Sequence, residues 1–316
     1  MKPLYPCNVD SIPLLFKNGL EPFELHFNNI NDLKTTFQNV EAIHFPNSIE
    51  KGKLISLVDE NESKLFKETL RNVVLYSKKN NIRKIILHTP NINLFDFDKS
   101  DAISNFIRIL EDVYDPNVRF CIENSCLWIN NVYTHNPLFT ESLDFFEILN
   151  QTKIPLNVTL DIEHLYMTFL MTKLLSKNKT LFNKQENSEI VSQFENDLNF
   201  FLKDNNFVNE ADKFVMQNIE DLKDYIYHFH ICGSDYKNYF FNPKTGLPLI
   251  GEHLPTGFEG KIYNKNVKDR LNHKLIFNQI KNLNTDFTIE TYPKGGYNVI
   301  DAFKRSRDYI HDLGFI

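Results

Sequence analysis

The stretch "PLNVTLDIEH" (155–164) begins as an apolar run and ends by presenting Asp161, Glu163 and His164 within four positions. Comparable endings recur along the chain. "VEAIHFP" (40–46) carries His44, "RKIILHTP" (83–90) His88, "RFCIENS" (119–125) Glu123, "YIYHFHICG" (225–233) His230 and "TDFTIETYP" (285–293) Glu290. Carboxylates gathered away from water repel one another and take up protons unless a cation neutralises them. Imidazoles among them supply neutral nitrogen donors, and a mixed nitrogen and oxygen set suits Mn²⁺, Co²⁺, Fe²⁺ or Zn²⁺, with Mg²⁺ less favoured. The chemistry predicted is therefore that of a divalent metal cofactor held by residues remote from one another in the chain.

Such residues need a scaffold that brings strand ends together. With "PLYPCNV" (3–9) and "PFELHF" (22–27) the β-rich runs number eight, and segments with helical periodicity separate them, for example "ESKLFKETLRNVVLYSKKN" (62–80) and "NVIDAFKRSRDYIHDL" (298–313). Strands alternating with helices predict an α/β protein with a parallel sheet, and eight units close a (β/α)₈ TIM barrel, here expected as one domain over 1–316. An open doubly wound sheet is the structural alternative. It is disfavoured because no GxGxxG or phosphate-loop motif follows the first strand. In a parallel barrel all strand C-termini meet on one face, where barrel enzymes place their active sites.

Single residues of these types usually have plainer roles, so only the joint pattern carries the metal reading. His26, His135, His273 and His311 are assigned to packing or surface. His228, two residues deeper than His230 on the same strand face, fits a neighbour of the site and a core residue equally. Strand parity points Glu163 away from Asp161. Cys121 and Cys232 lack a nearby feature that marks a nucleophile. Lys78, Lys79, Arg83 and Lys84 read as a solvated helix end and strand start. The longest gap, 165–224, holds the amphipathic "LYMTFLMTKLL" followed by a polar loop composition; it predicts a helical insertion near the barrel mouth, with its Met and Phe stripe used in packing.

A net charge of −6 and a pI near 5.9 over 316 residues give no global attraction to nucleic acid or anionic membranes, although a local basic groove is compatible with them. The four cysteines show no CxxC spacing, the first residues lack the apolar core of an export signal, and no run approaches the roughly 18 apolar residues of a membrane span. A cytoplasmic protein with no membrane partner is expected; oligomeric state stays open.

The ordered motifs "IHFP", "ILHTP", "CIENS", "LDIEH", "HFHICGSD", "GEHLPTGFEG" and "FTIETYP" resemble the xylose isomerase-like TIM barrel superfamily, which includes sugar and sugar-phosphate isomerases and epimerases and the endonuclease IV group. Likeness to the epimerase branch implies one metal held by Glu123, Asp161, His230 and Glu290, with the two glutamates as acid and base, His164 as a further catalytic group, and His88 and His253 against the substrate. The activity implied is isomerisation or epimerisation of a sugar, sugar phosphate or related polyol through a metal-stabilised enediolate. Likeness to the endonuclease IV branch implies additional metals at His44, His88, His164 and His253 and hydrolysis of a phosphodiester or small molecule. The chain departs from that branch at Gly251, where an Asp is expected, at Gly233, whose Asp moves to 235, and in the altered turn "GFEG" (257–260). Lys237 and Lys261 are candidate phosphate contacts.

Overall fold

The computed structural model describes residues 2–27, 30–46, 48–50, 53–54, 57, 60–88, 91–93, 99–126, 135–177, 196–197, 199–236, 253–262, 265–283, 285–291 and 298–316. Eight parallel strands form a closed barrel in sequential order: β1 (Pro3–Cys7), β2 (Phe23–His26), β3 (Val40–Phe45), β4 (Lys84–His88), β5 (Arg119–Glu123), β6 (Leu156–Asp161), β7 (Ile226–Ile231) and β8 (Asp286–Ile289), with β8 pairing back onto β1. Each of the eight coincides with a run expected from sequence. Helices with described bounds include α1 (Ile12–Lys17), α2 (Glu60–Lys79), α3 (Lys99–Val113), α4 (Ser142–Leu149), α5 (Ile162–Lys177), α6 (Asn205–Leu222), α7 (His273–Ile280) and α8 (Val299–Asp312).

Strand alternation divides the side chains into two sets. One row, including Phe23, Leu25, Ile43, Phe45, Ile85, Leu87, Phe120, Ile122, Val158, Leu160, Phe229, Ile231, Phe287 and Ile289, joins the apolar shell shared with the helices. The other row faces the barrel interior. Leu4, Ala42, Ile86 and Cys121 form a small separate apolar cluster, and buried polar groups, most of them ionisable, share the interior with them. Each fully buried large apolar side chain in the shell contributes about 1.5–3 kcal/mol. Buried ion pairs roughly break even against their desolvation. The shell therefore stabilises the barrel, and the polar interior answers to another requirement.

Register sets the height of that interior. His26 lies opposite His44, His88 opposite Glu123, Asp161 opposite His230, and His230 opposite Thr288. Glu290 follows directly on β8, its N–H bonded to the Ile231 carbonyl at 3.0 Å.

The segment between β6 and β7 contains α5 and α6, as the expected insertion requires; residues 178–195 lie outside those described. Its first helix is not amphipathic. Residues 162–171 are all buried, because α5 starts immediately at the barrel mouth and α6 covers its outer side: the Tyr166 hydroxyl donates to Asp212 at 2.6 Å, and Phe169 packs on Phe207 and Phe214. Met167 and Met171 are packed in this layer. No described helix is long and apolar enough to cross a membrane.

Candidate metal centre

Asp161 ends β6 and initiates α5. Its Oδ1 accepts the His164 backbone N–H at 3.0 Å, capping the first helical turn and setting His164 over the mouth. Beyond the last ladder pair of β5 and β6, the Asn124 side chain continues the pairing, donating to the Asp161 carbonyl (3.0 Å) and accepting its N–H (2.7 Å). His164 Nδ1–H donates to the Asn124 carbonyl at 2.8 Å, which leaves Nε2 as the acceptor of the neutral ring.

His230 Nδ1 is the hub of the arrangement. Glu290 Oε2 lies 2.8 Å from it, Glu123 Oε1 3.0 Å and Asp161 Oδ2 4.0 Å. All four residues are buried. The other oxygen of Glu123 faces a second group, with His44 Nε2 at 3.1 Å and His88 Nδ1 at 3.3 Å. His253 joins Asp161 and His164 in a third set whose donor atoms lie within 4.8 Å of one another. The eight predicted residues thus occupy one volume at the barrel mouth.

Several expectations need correction. Glu163 does not point away: the strand stops at Asp161, helical geometry replaces strand parity, and Glu163 Oε2 reaches His253 Nδ1 at 3.2 Å. Lys84 is not solvated. It opens β4 at an inward position, is buried, and donates to His228 Nδ1 at 3.0 Å. Cys232 is not isolated, since its sulfur lies 2.8 Å from His253 Nδ1. His26 stacks on His44 with ring centres 4.2 Å apart and bonds Glu24 at 3.1 Å. His273 and His311 do fill structural and surface positions, the former buried against Asp269 and the latter exposed. The side chain of His135, Gly251 and Lys237 lie outside the described residues, and Lys261 is exposed.

Glu24 was missed altogether. This fully buried carboxylate on β2 accepts from His230 Nε2 (3.3 Å) and from the Thr288 hydroxyl, and lies 3.3 Å from His228 Nε2. The alternation in "FELH", which puts Glu24 on the face of His26, was the available signal. Because Lys84 donates to His228 Nδ1, that ring carries its hydrogen on Nε2; burial and the Lys84 charge lower its pKa to about 3 and keep it neutral.

Charge in this volume is unbalanced. Burial favours protonated Glu123 and Glu290, but the surrounding imidazoles outweigh it and hold both well below the usual carboxylate range. Asp161 is pushed up, by burial first, and its buried Oδ2 accepts no hydrogen bond. Burial would lower His230, yet Glu290, Glu24 and Glu123 raise it well above the ordinary imidazole value. Three carboxylates converging on an imidazole, with an orphaned Asp161 oxygen, are a donor set that fits a divalent ion. In the neutral ring, Nε2–H to Glu24 leaves the Nδ1 lone pair on the carboxylate side, as a ligating histidine requires.

His164 gives a test in the metal-free protein. Burial lowers its pKa, but Asp161, Glu123 and Glu163 raise it from 6.5 to about 9. A raised folded-state pKa adds stability that is complete below pH about 6.5 and lost as pH rises through about 9. The Tm of chelator-treated protein is therefore expected to fall across that window; a flat Tm would contradict the pairing.

The space beside Gly233, after β7, is taken by the carboxylate of Asp269. Gly233 pairs with Leu254 through reciprocal backbone hydrogen bonds (2.7 and 2.9 Å). A Cβ on Gly233 would meet the Asp269 carboxylate at 2.6 Å and the Pro255 carbonyl at 2.8 Å. Asp269 fills that space, accepting the Ser234 and Gly257 N–H groups at 2.9 and 2.7 Å. In the altered turn, Gly257 has φ +69°.

No protein-family model matches the chain, and no curated protein matches it in sequence. Solved structures of similar fold include sugar epimerases and AP endonucleases. A D-tagatose 3-epimerase-like protein superposes with a TM-score of 0.60 at 14% identity, covering 99% of this chain and 98% of that one. The probable 3-DHS dehydratase AsbF from Bacillus anthracis gives 0.60 at 14%, covering 98% and 99%. The AP endonuclease, family 2, from Brucella melitensis gives 0.58 at 11%, covering 98% and 99%.

Proposed function

We propose that this chain is a divalent-metal-dependent isomerase or epimerase of a sugar, sugar phosphate or related polyol. One observation carries the reading: Glu123, Asp161 and Glu290 come within 4.0 Å of a single nitrogen, His230 Nδ1, at the mouth of a closed barrel. Those four residues would hold the ion, and Mn²⁺, Co²⁺ or Zn²⁺ suits the donors. The ion supplies Lewis-acid polarisation of adjacent carbonyl and hydroxyl oxygens, which lowers the cost of an enediolate. Glu290 takes the carbon-bound proton and Glu123 returns one. Glu24 holds the His230 ring in orientation. His164 adds a hydrogen-bonding group beside Glu123, 3.9 Å away, and His88 and His253 orient the substrate.

The test is solvent-proton exchange. Incubated in deuterium oxide with aldoses, ketoses and their phosphates, the ion-loaded protein is expected to place one deuterium on the carbon next to a carbonyl. Absence of exchange across the panel contradicts the proposal.

A second reading has its own observation. Glu123 presents one oxygen to His230 and the other to His44 and His88, so that in a zinc hydrolase His44, His88 and Glu123 would hold an ion in addition to the one at His230. Nicking of abasic DNA or cleavage of a model phosphodiester, with two or three Zn²⁺ per chain, would favour it over the isomerase.

A further inference from the structure

Beside the central four residues lies a cluster of different chemistry. Cys232 follows β7 directly, Glu163 is the second residue of α5, and His253 adjoins the Gly233–Leu254 backbone pair that ties its strand to the β7 loop. All three are buried. The Cys232 sulfur lies 2.8 Å from His253 Nδ1, Glu163 Oε2 lies 3.2 Å from the same nitrogen, and sulfur and carboxylate are 3.9 Å apart.

Two ordinary explanations fail on geometry. In a Cys–His–Glu nucleophilic triad the carboxylate and the thiol address opposite ring nitrogens, so that one orients the base while the other loses its proton. Here both address Nδ1. In a plain hydrogen-bonded core the Cys232 thiol and the His253 Nδ1–H both donate to Glu163, which leaves the close approach of sulfur to Nδ1 without a hydrogen between them. The sulfur also comes as near the nitrogen as an oxygen atom would, although sulfur is larger.

A cation shared by the three donors would use the same three atoms and needs no proton between them. With Zn–S near 2.3 Å and Zn–N or Zn–O near 2.0–2.2 Å, the edges of a tetrahedral site are about 3.3–3.6 Å. The nitrogen–oxygen side of 3.2 Å is close to that range, whereas the sulfur–nitrogen side of 2.8 Å is shorter and the sulfur–oxygen side of 3.9 Å longer, so ion binding would swing the sulfur away from the ring and toward the carboxylate. We infer that Glu163, Cys232 and His253 form a second, thiolate-containing site for a soft or borderline divalent ion, Zn²⁺ by donor type, with a fourth position open to water or substrate. The inference does not depend on occupancy of the central site, which shares none of these three residues.

Cobalt distinguishes the two sites, because thiolate–cobalt charge transfer absorbs in the near ultraviolet whereas an all-nitrogen-and-oxygen site gives only weaker visible bands. Protein loaded anaerobically with Co²⁺ is expected to show the near-ultraviolet band. Cys232→Ser is expected to lose it together with about one equivalent of bound cobalt, with unchanged circular dichroism. Glu163→Gln, which keeps the sulfur, should move the midpoint of the band's titration to cobalt concentrations at least about tenfold higher. Glu290→Gln, altered only in the central site, should keep the band. Cobalt-loaded protein without the band, or a band that survives Cys232→Ser in folded protein, would overturn the site. Failure of the central site reads differently, as loss of about one equivalent of bound cobalt with the near-ultraviolet band retained.

Discussion

Glu290→Gln is expected to lower isomerisation by roughly 10²–10⁴-fold, the range for removal of a general base, and to bring solvent deuterium incorporation below detection. The substitution is nearly isosteric. Its side-chain amide has no carboxylate lone pair with which to take a carbon-bound proton, while Glu123, Asp161 and His230 remain to hold the ion. Bound metal should fall in affinity without disappearing, so full occupancy at raised metal concentration separates the catalytic loss from a binding loss. A normal exchange rate in fully loaded variant would remove Glu290 from the role of base.

His230→Ala should produce the largest combined effect. The ring sits between Glu24 on one nitrogen and Glu123, Glu290 and Asp161 on the other. Its removal deletes a proposed ligand and leaves four buried carboxylates facing a void. Removing one side of a buried charge network costs about 3–5 kcal/mol, much of the 5–15 kcal/mol that holds an ordinary protein folded. In a Cys232→Ser background, stoichiometric metal binding at the mouth should be lost, and the urea midpoint of the metal-free protein should drop at neutral pH. A variant of unchanged midpoint that still binds metal stoichiometrically in that background would show that His230 is peripheral.

The barrel was legible because each strand is a short apolar run between helical periods, and because "KIIL" and its counterparts are covered on both faces. Convergence at the mouth followed from topology: once strands are parallel and closed, residues at equal offsets from strand ends become neighbours. What escaped notice depended on where a strand stops or on what meets it from across the barrel. Glu163 was misplaced by carrying two-residue parity past Asp161, where the chain turns helical. Lys84 was read as exposed because lysine usually is, yet an inward position on β4 obliges it to find His228. Glu24 lies mid-strand, and its bonding groups arrive from β7 and β8, more than two hundred residues away. The meeting of Cys232 with His253 depends on the Gly233–Leu254 pairing across a loop, which no local pattern announces.

The fold, shared by epimerases and endonucleases alike, does not choose a reaction; the residues at its mouth do that. The most direct measurement of the central claim is an anomalous-scattering map from a crystal soaked in Mn²⁺ or Zn²⁺. The account predicts a peak bounded by Glu123, Asp161, His230 and Glu290 at about 2.0–2.2 Å from their donor atoms. A map with no peak among these four residues, in protein whose strand ends hold the arrangement described, would contradict it.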